Sequence, residues 1–235
     1  MIIPTYNERG NIARLIAMIF NAIPKAHILI IDDNSPDGTD KLIESLIKSK
    51  YLDRLFLYKR AGKFGLGTAY IEGFKWALTR NYTRVIQMDA DFSHDPKYLP
   101  ILYETNADLV IGSRYVKGGG VKNWSRLREF ISRGGSWYAR QWLDMDIRDL
   151  TGGFKCWKRS LLEKIDLNII KSNGYCFQIE MNYMASLLGA KIVEVPIVFV
   201  DRVEGHSKMS KKIALEAMWM VPKLKNYKLK GKDNE

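Results

Sequence analysis

The sequence predicts an α/β fold: a mainly parallel sheet with helices on both faces. Three observations lead there. Through the first half of the chain, short apolar runs alternate with stretches whose apolar residues recur at helical spacing. The apolar runs are continuous rather than alternating, as strands buried on both faces read. Four of those runs end in polar, acidic or turn-forming residues, and ligands sit at the carboxyl ends of such strands.

The elements follow in order. "MIIP" is a short apolar strand and "NIARLIAMIFNAI" a helix. "HILIIDD" is a buried strand ending in acids, "TDKLIESLIKS" a helix with a Thr/Asp start, and "LFLYK" a strand. "GTAYIEGFKWAL" is a helix opened by glycine. "RVIQMDAD" is the fourth strand, "PKYLPILYET" a helix and "ADLVIGSRY" the fifth strand. Beyond it, "VKGGGVKNW" reads as a mobile glycine-rich loop. "SRLREFISRGGSWYARQWL" reads as a helix broken at Gly134-Gly135. "TGGFKCWKR" is a turn and short strand, and "CFQIEMNYMASLLG" a helix ended by Gly189. "KIVEVPIVFVDR" is a strand pair or bent strand broken at Pro196, and "SKKIALEAMWMVPKLK" a basic amphipathic helix. No linker separates two domains.

Composition sets the class. At 235 residues, 46% hydrophobic and 27% charged, the chain is a globular protein with a substantial core. A formal charge of +11 points to an anionic partner: nucleic acid, a membrane surface or a phosphorylated substrate. The charge is concentrated in two places, Arg114 to Arg140 and the lysine-rich tail from Lys208. Cys156 and Cys176 have no CxxC spacing, so they read as packing residues in a reducing compartment. No apolar run approaches the roughly 20 residues that cross a bilayer, and no signal peptide is visible. The expectation is a chain that does not itself span a membrane.

"DADFSHDP" (89–96) places three aspartates at the end of the fourth strand. Alone, it reads equally as a turn or as a site for a hard divalent cation. Beside it stand "PTYNE", "DDNSPDGT" and "GSR", the ends of strands one, two and five. Four polar strand ends on one edge favour the metal.

The collinear set "IIPTYNE", "IDDNSPDGT", "GLGTAYIEGF", "DADFSHDP", "GSRYVKGG" and "TGGFKCWKR" resembles the family 2 glycosyltransferases, and within them the dolichol-phosphate (polyprenol-phosphate) mannose synthases. The resemblance runs from Ile2 to about Lys212. Such proteins usually carry a few more residues before "IIPTYNE", so a clipped first strand or a misassigned start is expected. The resemblance implies a GT-A fold, with a catalytic domain over 1–210 and a basic amphipathic helix and tail over 211–235.

It also implies a donor pocket lined by Pro4, Tyr6, Glu8, Ile31 and Asp33. Tyr6 can pack against a base, while Glu8 and Asp33 can accept from base or ribose. Asn7, Asn34, Pro36, Asp37 and Gly38 read as turn and cap residues. Asp91 is the first candidate metal ligand, with Asp89 close to ribose and metal. Ala90 is small enough for a diphosphate to approach. Ser93 is a third candidate, acting directly, through water or not at all, and His94 is structural. Oxygen-only, incomplete coordination suits Mg²⁺ or Mn²⁺.

Arg114 is expected to meet phosphate. Arg128 and Ser132 resemble the family's lipid-phosphate contacts, and Arg202 and Lys208 resemble diphosphate clamps. Arg133 and Arg140 read as helix-surface charges. At Cys176 relatives can carry a lysine, which this chain lacks. Asp149 either organises a sugar pocket or holds a turn. Asp91, Arg114 and Arg202 form the expected catalytic set.

The implied reaction is inverting transfer of mannose from GDP-mannose to dolichyl or polyprenyl phosphate. UDP-glucose is the alternative donor. A catalytically dead regulatory subunit is a further reading, against which the intact acidic and basic groups stand. "KMSK" matches a tRNA-synthetase signature by coincidence, and no helix-turn-helix, RNP or zinc pattern supports a nucleic-acid partner. The expected location is peripheral, on the cytoplasmic face of a membrane. Attachment would come through the C-terminal helix or a membrane-anchored subunit; packing of that helix on its own domain is the equal alternative for its apolar side.

Overall fold

The strand order of the central sheet explains where the polar strand ends meet. The computed structural model describes residues 1–201 and 219–225. Its strands are β1 (Ile2–Thr5), β2 (Ile28–Asp32), β3 (Leu55–Lys59), β4 (Arg84–Gln87), β5 (Leu109–Ser113), β6 (Gly120–Lys122), β7 (Lys155–Lys158), β8 (Ile192–Pro196) and β9 (Val198–Val200). Seven of them form one sheet in the order β3-β2-β1-β4-β7-β5-β8. From β1 the chain steps outward to β2 and β3, then returns to place β4 on the other side of β1. That reversal opens a crevice between the carboxyl ends of β1 and β4. All neighbours are parallel except β7, which runs antiparallel to both β4 and β5.

The helices are α1 (Arg9–Ala22), α2 (Thr39–Ser49), α3 (Leu66–Leu78), α4 (Leu99–Glu104), α5 (Arg126–Leu143), α6 (Arg159–Leu162) and α7 (Gly174–Leu187). Successive strand residues face opposite cores, as a two-unit repeat requires. Ile2, Leu29, Ile31 and Leu109 meet α3, α5 and α7 on one face. Ile3, Ile28, Ile30 and Val110 meet α1, α2 and α4 on the other. Contact is closest at Gly73, where a Cβ would lie 2.5 Å from Ile2 Cγ2, so only glycine lets α3 settle on β1.

Two expectations are corrected. The helix α5 runs unbroken through Gly134-Gly135. Two glycines weaken it by roughly 1 kcal/mol each, but Ser132, Ser136, Ala139 and Leu143 are buried along one side and hold both halves to the domain. The glycine-rich stretch before it is not wholly loop, since Gly120–Lys122 pairs in parallel with β9. The expected break at Pro196 is present: β8 joins the main sheet, and β9 a separate two-stranded one. Residues 219–224 are helical, with Val221 and Leu224 in the main core and Trp219 exposed. At this turn the domain-packing alternative holds. Ile213 and Met218 lie outside the described residues.

Candidate active site

A cavity of about 310 Å³ occupies the crevice beside β1 and β4. Pro4, Tyr6, Glu8, Asp33, Asp89, Ala90 and Asp91 all line it, together with Lys63, Thr151, Gly153, Asn173, Tyr175 and Gln178. Three strand-end turns shape the rim, each with a non-glycine residue in the left-handed region: Asn7 (φ 61°), Asn34 (φ 59°) and Phe92 (φ 60°). Asparagine tolerates this conformation; a bulky phenylalanine is strained there, and such strain clusters at functional sites.

The paired acids after β2 divide their work. Asp32 is fully buried and accepts from Thr5 Oγ1 (2.8 Å), Ser35 Oγ (2.6 Å) and the Ser35 N–H (2.9 Å). It ties the ends of β1 and β2 together. Asp33 faces the cavity and is gripped by the buried Arg60, Nη1 to Oδ1 at 2.7 Å. Burial pushes the Asp33 carboxyl above its usual value, with Arg60 pulling the other way. Asp37 behaves as a turn and cap residue, accepting from the Arg9 and Thr39 N–H groups. Lys63 lies over the Tyr6 ring, 4.1 Å from its centroid.

At the end of β4, the Asp89 carboxylate accepts from the Tyr70 hydroxyl at 3.3 Å. Burial and then the charge of Asp89 raise the Tyr70 pKa well above normal, so it remains a neutral donor. Asp91 Oδ1 accepts from the Ser93 N–H at 3.0 Å. His94 is structural as expected: buried, stacked on Phe154, with Nδ1 accepting from the Asp89 N–H. Burial lowers its pKa, against the pull of Asp89 and Asp91.

The donor set tests the metal reading. No group of three or more His, Cys, Asp or Glu able to hold an ion occurs among the described residues. Two half-exposed carboxylates one residue apart on a rigid strand end do fit Mg²⁺ or Mn²⁺, with phosphate oxygens and water completing the shell.

Three expected site residues fall elsewhere. Ile31 is core: it pairs in register with Pro4, and its side chain packs toward α3, away from the cavity. Ser93 is 1% exposed and absent from the cavity wall, and its hydroxyl is buried without a hydrogen-bond partner. The turn at Phe92 carries it inward, so it supplies no third ligand.

Arg114 is the largest departure. It is 4% exposed, and its guanidinium forks onto Asp149, Nε to Oδ2 at 2.7 Å and Nη2 to Oδ1 at 2.6 Å. Its own N–H also donates to Asp149, and Nη2 reaches Thr151 Oγ1 on the cavity wall. Burial alone would raise the Asp149 carboxyl; the Arg114 charge and hydrogen bonds reverse that and hold it below the usual range. Arg114 therefore positions the 149–153 turn. Asp149 is an organiser, through a side chain that also accepts from the Gly152 N–H.

On α5, Arg128 pairs with Asp201 and lies over Trp124, while Ser132 is buried and hydrogen-bonded to the Tyr115 hydroxyl at 2.6 Å. Arg133 and Arg140 make ion pairs with Glu129 and Asp146, as surface charges do. Cys176 is buried. Arg202 and Lys208 lie outside the described residues.

Lys63, Gln178 and Lys155 are the residues that sequence reasoning missed. Lys63 stands in "AGKFGLGT", a glycine-flanked cation that could have been flagged. Lys155, on β7, is fully buried, and its Nζ donates to Gln178 Oε1 (2.7 Å) and to the Gln178 carbonyl (3.1 Å). Burial drives the Lys155 pKa well down, with Asp149 opposing. No sequence signal links the pair.

The chain was compared with known proteins. Residues 1–166 match the profile described as Glycosyl transferase family 2. The polyprenol monophosphomannose synthase of Mycolicibacterium smegmatis is 46% identical over 224 residues, covering 94% of this chain and 84% of that protein. The undecaprenyl-phosphate mannosyltransferase of Micrococcus luteus is 44% identical over 219 residues, covering 92% and 89%. Among solved structures, glucosyl-3-phosphoglycerate synthase from Mycobacterium tuberculosis with Mn²⁺ and UDP-glucose matches at TM-score 0.64 and 17% identity, over 94% of this chain and 75% of that one. A mannosyltransferase from Pyrobaculum calidifontis in complex with GDP-Man and Mn²⁺ matches at TM-score 0.57 and 16% identity, over 88% and 57%. Those distant likenesses establish the GT-A fold. With the profile matching residues 1–166, and two relatives matched over nine-tenths of the sequence, the chain belongs to glycosyl transferase family 2.

Proposed function

We propose that the protein transfers mannose from GDP-mannose to a polyprenyl or dolichyl phosphate, with inversion at the anomeric carbon. One observation carries this reading. Tyr6, Glu8, Asp33, Asp89 and Asp91 share one cavity in a chain 44–46% identical to two relatives named for mannosyl transfer to polyprenyl phosphates.

Tyr6 packs against the base, and Asp33, fixed by Arg60, accepts from base or ribose. Asp89 and Asp91 would hold Mg²⁺ or Mn²⁺. Bound there, the ion offsets negative charge on the departing diphosphate. Lys63, on the cavity wall, supplies a cation on the donor side. Arg202 and Lys208 are proposed as further cations for the diphosphate.

The acceptor is a phosphate monoester with a second pKa of about 6, so near neutrality it is mostly a dianion and needs no general base. Arg128 and Ser132, one turn apart on α5, bind it, with phosphate oxygens taking the place of Asp201 on Arg128. The residual task is to bring two anions together in line, which positioning and fixed positive charge accomplish.

The acceptor's tail requires a membrane surface, and α5 suits one. Its small residues Ser132, Ser136 and Ala139 face the domain, while Leu127, Phe130, Ile131, Trp137 and Trp142 are exposed on the opposite side. Arg126 and Arg133 flank this apolar face. An interfacial helix has that layout: aromatic and aliphatic groups in the acyl boundary, arginines among anionic headgroups. No helix among the described residues is long and apolar enough to cross the bilayer. Peripheral attachment on the cytoplasmic face is the proposed arrangement.

The test is sugar transfer to a short, water-soluble polyprenyl phosphate, comparing GDP-mannose with UDP-glucose in the presence of Mg²⁺ or Mn²⁺. The expected product is the β-linked mannosyl phosphodiester; turnover of UDP-glucose alone, or of neither donor, overturns the reading. A second arm embeds a long-chain acceptor in anionic vesicles. Phe130→Ser combined with Trp137→Ser is expected to slow transfer to the embedded acceptor by roughly tenfold or more, given about 1.5–3 kcal/mol for each large apolar group withdrawn from the bilayer. The soluble acceptor should react at an unchanged rate. Equal rates on vesicles would remove α5 from the membrane contact.

A further inference from the structure

We infer that Gln178 binds a hydroxyl of the donor's hexose, with Lys155 as the positioning residue that fixes its amide. The inference rests on the proposed sugar-nucleotide reading and names a contact for the sugar rather than the nucleotide.

Four observations meet here. Gln178 is 2% exposed, yet it is one of the residues that line the cavity. Its amide oxygen is engaged at 2.7 Å by Lys155 Nζ, which also holds the Gln178 carbonyl. With Lys155 Nζ donating to that oxygen, the NH₂ of the amide faces away from it. That NH₂ is buried and has no hydrogen-bond partner. A buried unpaired donor costs about 1–3 kcal/mol, which a ligand oxygen would recover.

Gly153 supplies the fourth observation. A Cβ there would stand 3.5 Å from Gln178 Nε2 and 3.7 Å from both carboxylate oxygens of Asp89. The missing side chain leaves a gap with an amide donor on one side and a carboxylate acceptor on the other. A sugar hydroxyl both gives and receives a hydrogen bond, so it satisfies both walls. The Asp89 carboxylate at this gap calls for a hydrogen-bond donor, which a hydroxyl supplies and an ionised phosphate oxygen does not, so the point suits the sugar.

Two variants separate this from a structural role. Gln178→Glu keeps an oxygen for Lys155 and replaces the donor with an acceptor. Gly153→Ala leaves Gln178 and Lys155 intact and fills the gap at ordinary contact distances, without a left-handed φ to strain the backbone. Calorimetric titration with Mn²⁺ present compares GDP with GDP-mannose. Both variants are expected to weaken GDP-mannose roughly tenfold or more. GDP binding to Gly153→Ala should stay within about twofold of wild type, which also certifies a folded pocket. Unchanged GDP-mannose affinity in both variants overturns the inference, as does an equal loss for GDP and GDP-mannose in Gly153→Ala. If wild type binds UDP-glucose instead, the GDP-mannose reading fails, and the same titrations with UDP and UDP-glucose decide the Gln178 contact.

Discussion

Replacing Arg114 with methionine is expected to destabilise the fold by about 3–5 kcal/mol, the usual cost of stranding one member of a buried ion pair. Asp149 has no solvent exposure, and Arg114 supplies three of its hydrogen bonds, one from the main chain and two from the guanidinium. With the guanidinium gone, Asp149 must either stay charged in a low-dielectric interior or take up a proton. The pH dependence has a definite sign. In wild type the Asp149 pKa is depressed, so its stabilisation is present above the ordinary aspartate range and is lost as pH falls through the lower folded value. In Arg114→Met, burial is opposed only by the main-chain N–H bonds and Lys155, so it favours the protonated acid. The gap between variant and wild type should therefore be widest near neutral pH and narrow on acidification. Chemical denaturation at pH 7 and pH 4 measures it. Arg114→Met with Asp149→Asn should regain part of the loss, because the neutral amide removes the stranded charge while its oxygen still accepts from the main-chain N–H groups of residues 114 and 152. If Arg114→Met unfolds like wild type while transfer collapses, Arg114 acts on phosphate after all.

The Arg114–Asp149 pair was only half legible in the sequence. A cation directly after β5 was legible; its partner, 35 residues further along and sealed beneath it, was not. The strands and their order of polar ends were legible because apolar runs buried on two faces have no polar alternation to confuse them. "TDKLIESLIKS" and "LFLYK" coincide with α2 and β3 residue for residue. The direction of β7 was not legible: "KCWK" carries no mark of antiparallel pairing, and its neighbours β4 and β5 come from distant parts of the chain. The break assigned to Gly134-Gly135 failed for a related reason. Propensity is local, whereas the burial that overrides it depends on what the helix lies against. Of the donor-side residues, Tyr6, Glu8, Asp33, Asp89 and Asp91 lie at strand ends that a parallel sheet brings to one edge, and the family resemblance singled them out within those ends. Gln178 escaped because α7 and β7 meet only in the folded chain.

The second large effect is expected at the end of β4. Asp91→Asn should lower kcat for mannosyl transfer by about 10²–10³-fold, the scale set by removing one group that stabilises developing charge. Folding should be nearly unaffected, since Asp91 is only half-buried and its amide replacement retains an oxygen for the Ser93 N–H. The two outcomes together separate Asp91 from Arg114: one variant is stable and inactive, the other unstable. Binding supplies a second measurement. Wild type should hold GDP more tightly when Mg²⁺ or Mn²⁺ is added, and Asp91→Asn should lose most of that enhancement. Tyr70→Phe ought to fall between, by about 10–100-fold, because it removes only the donor that orients the Asp89 carboxylate. An outer contact of that kind cannot outweigh the ligand it orients, so Tyr70→Phe should also cost less than Asp89→Asn. Transfer that survives both Asp91→Asn and excess chelator would mean that these carboxylates hold no ion, and the strand-end turn of residues 89–96 would be a turn and nothing more.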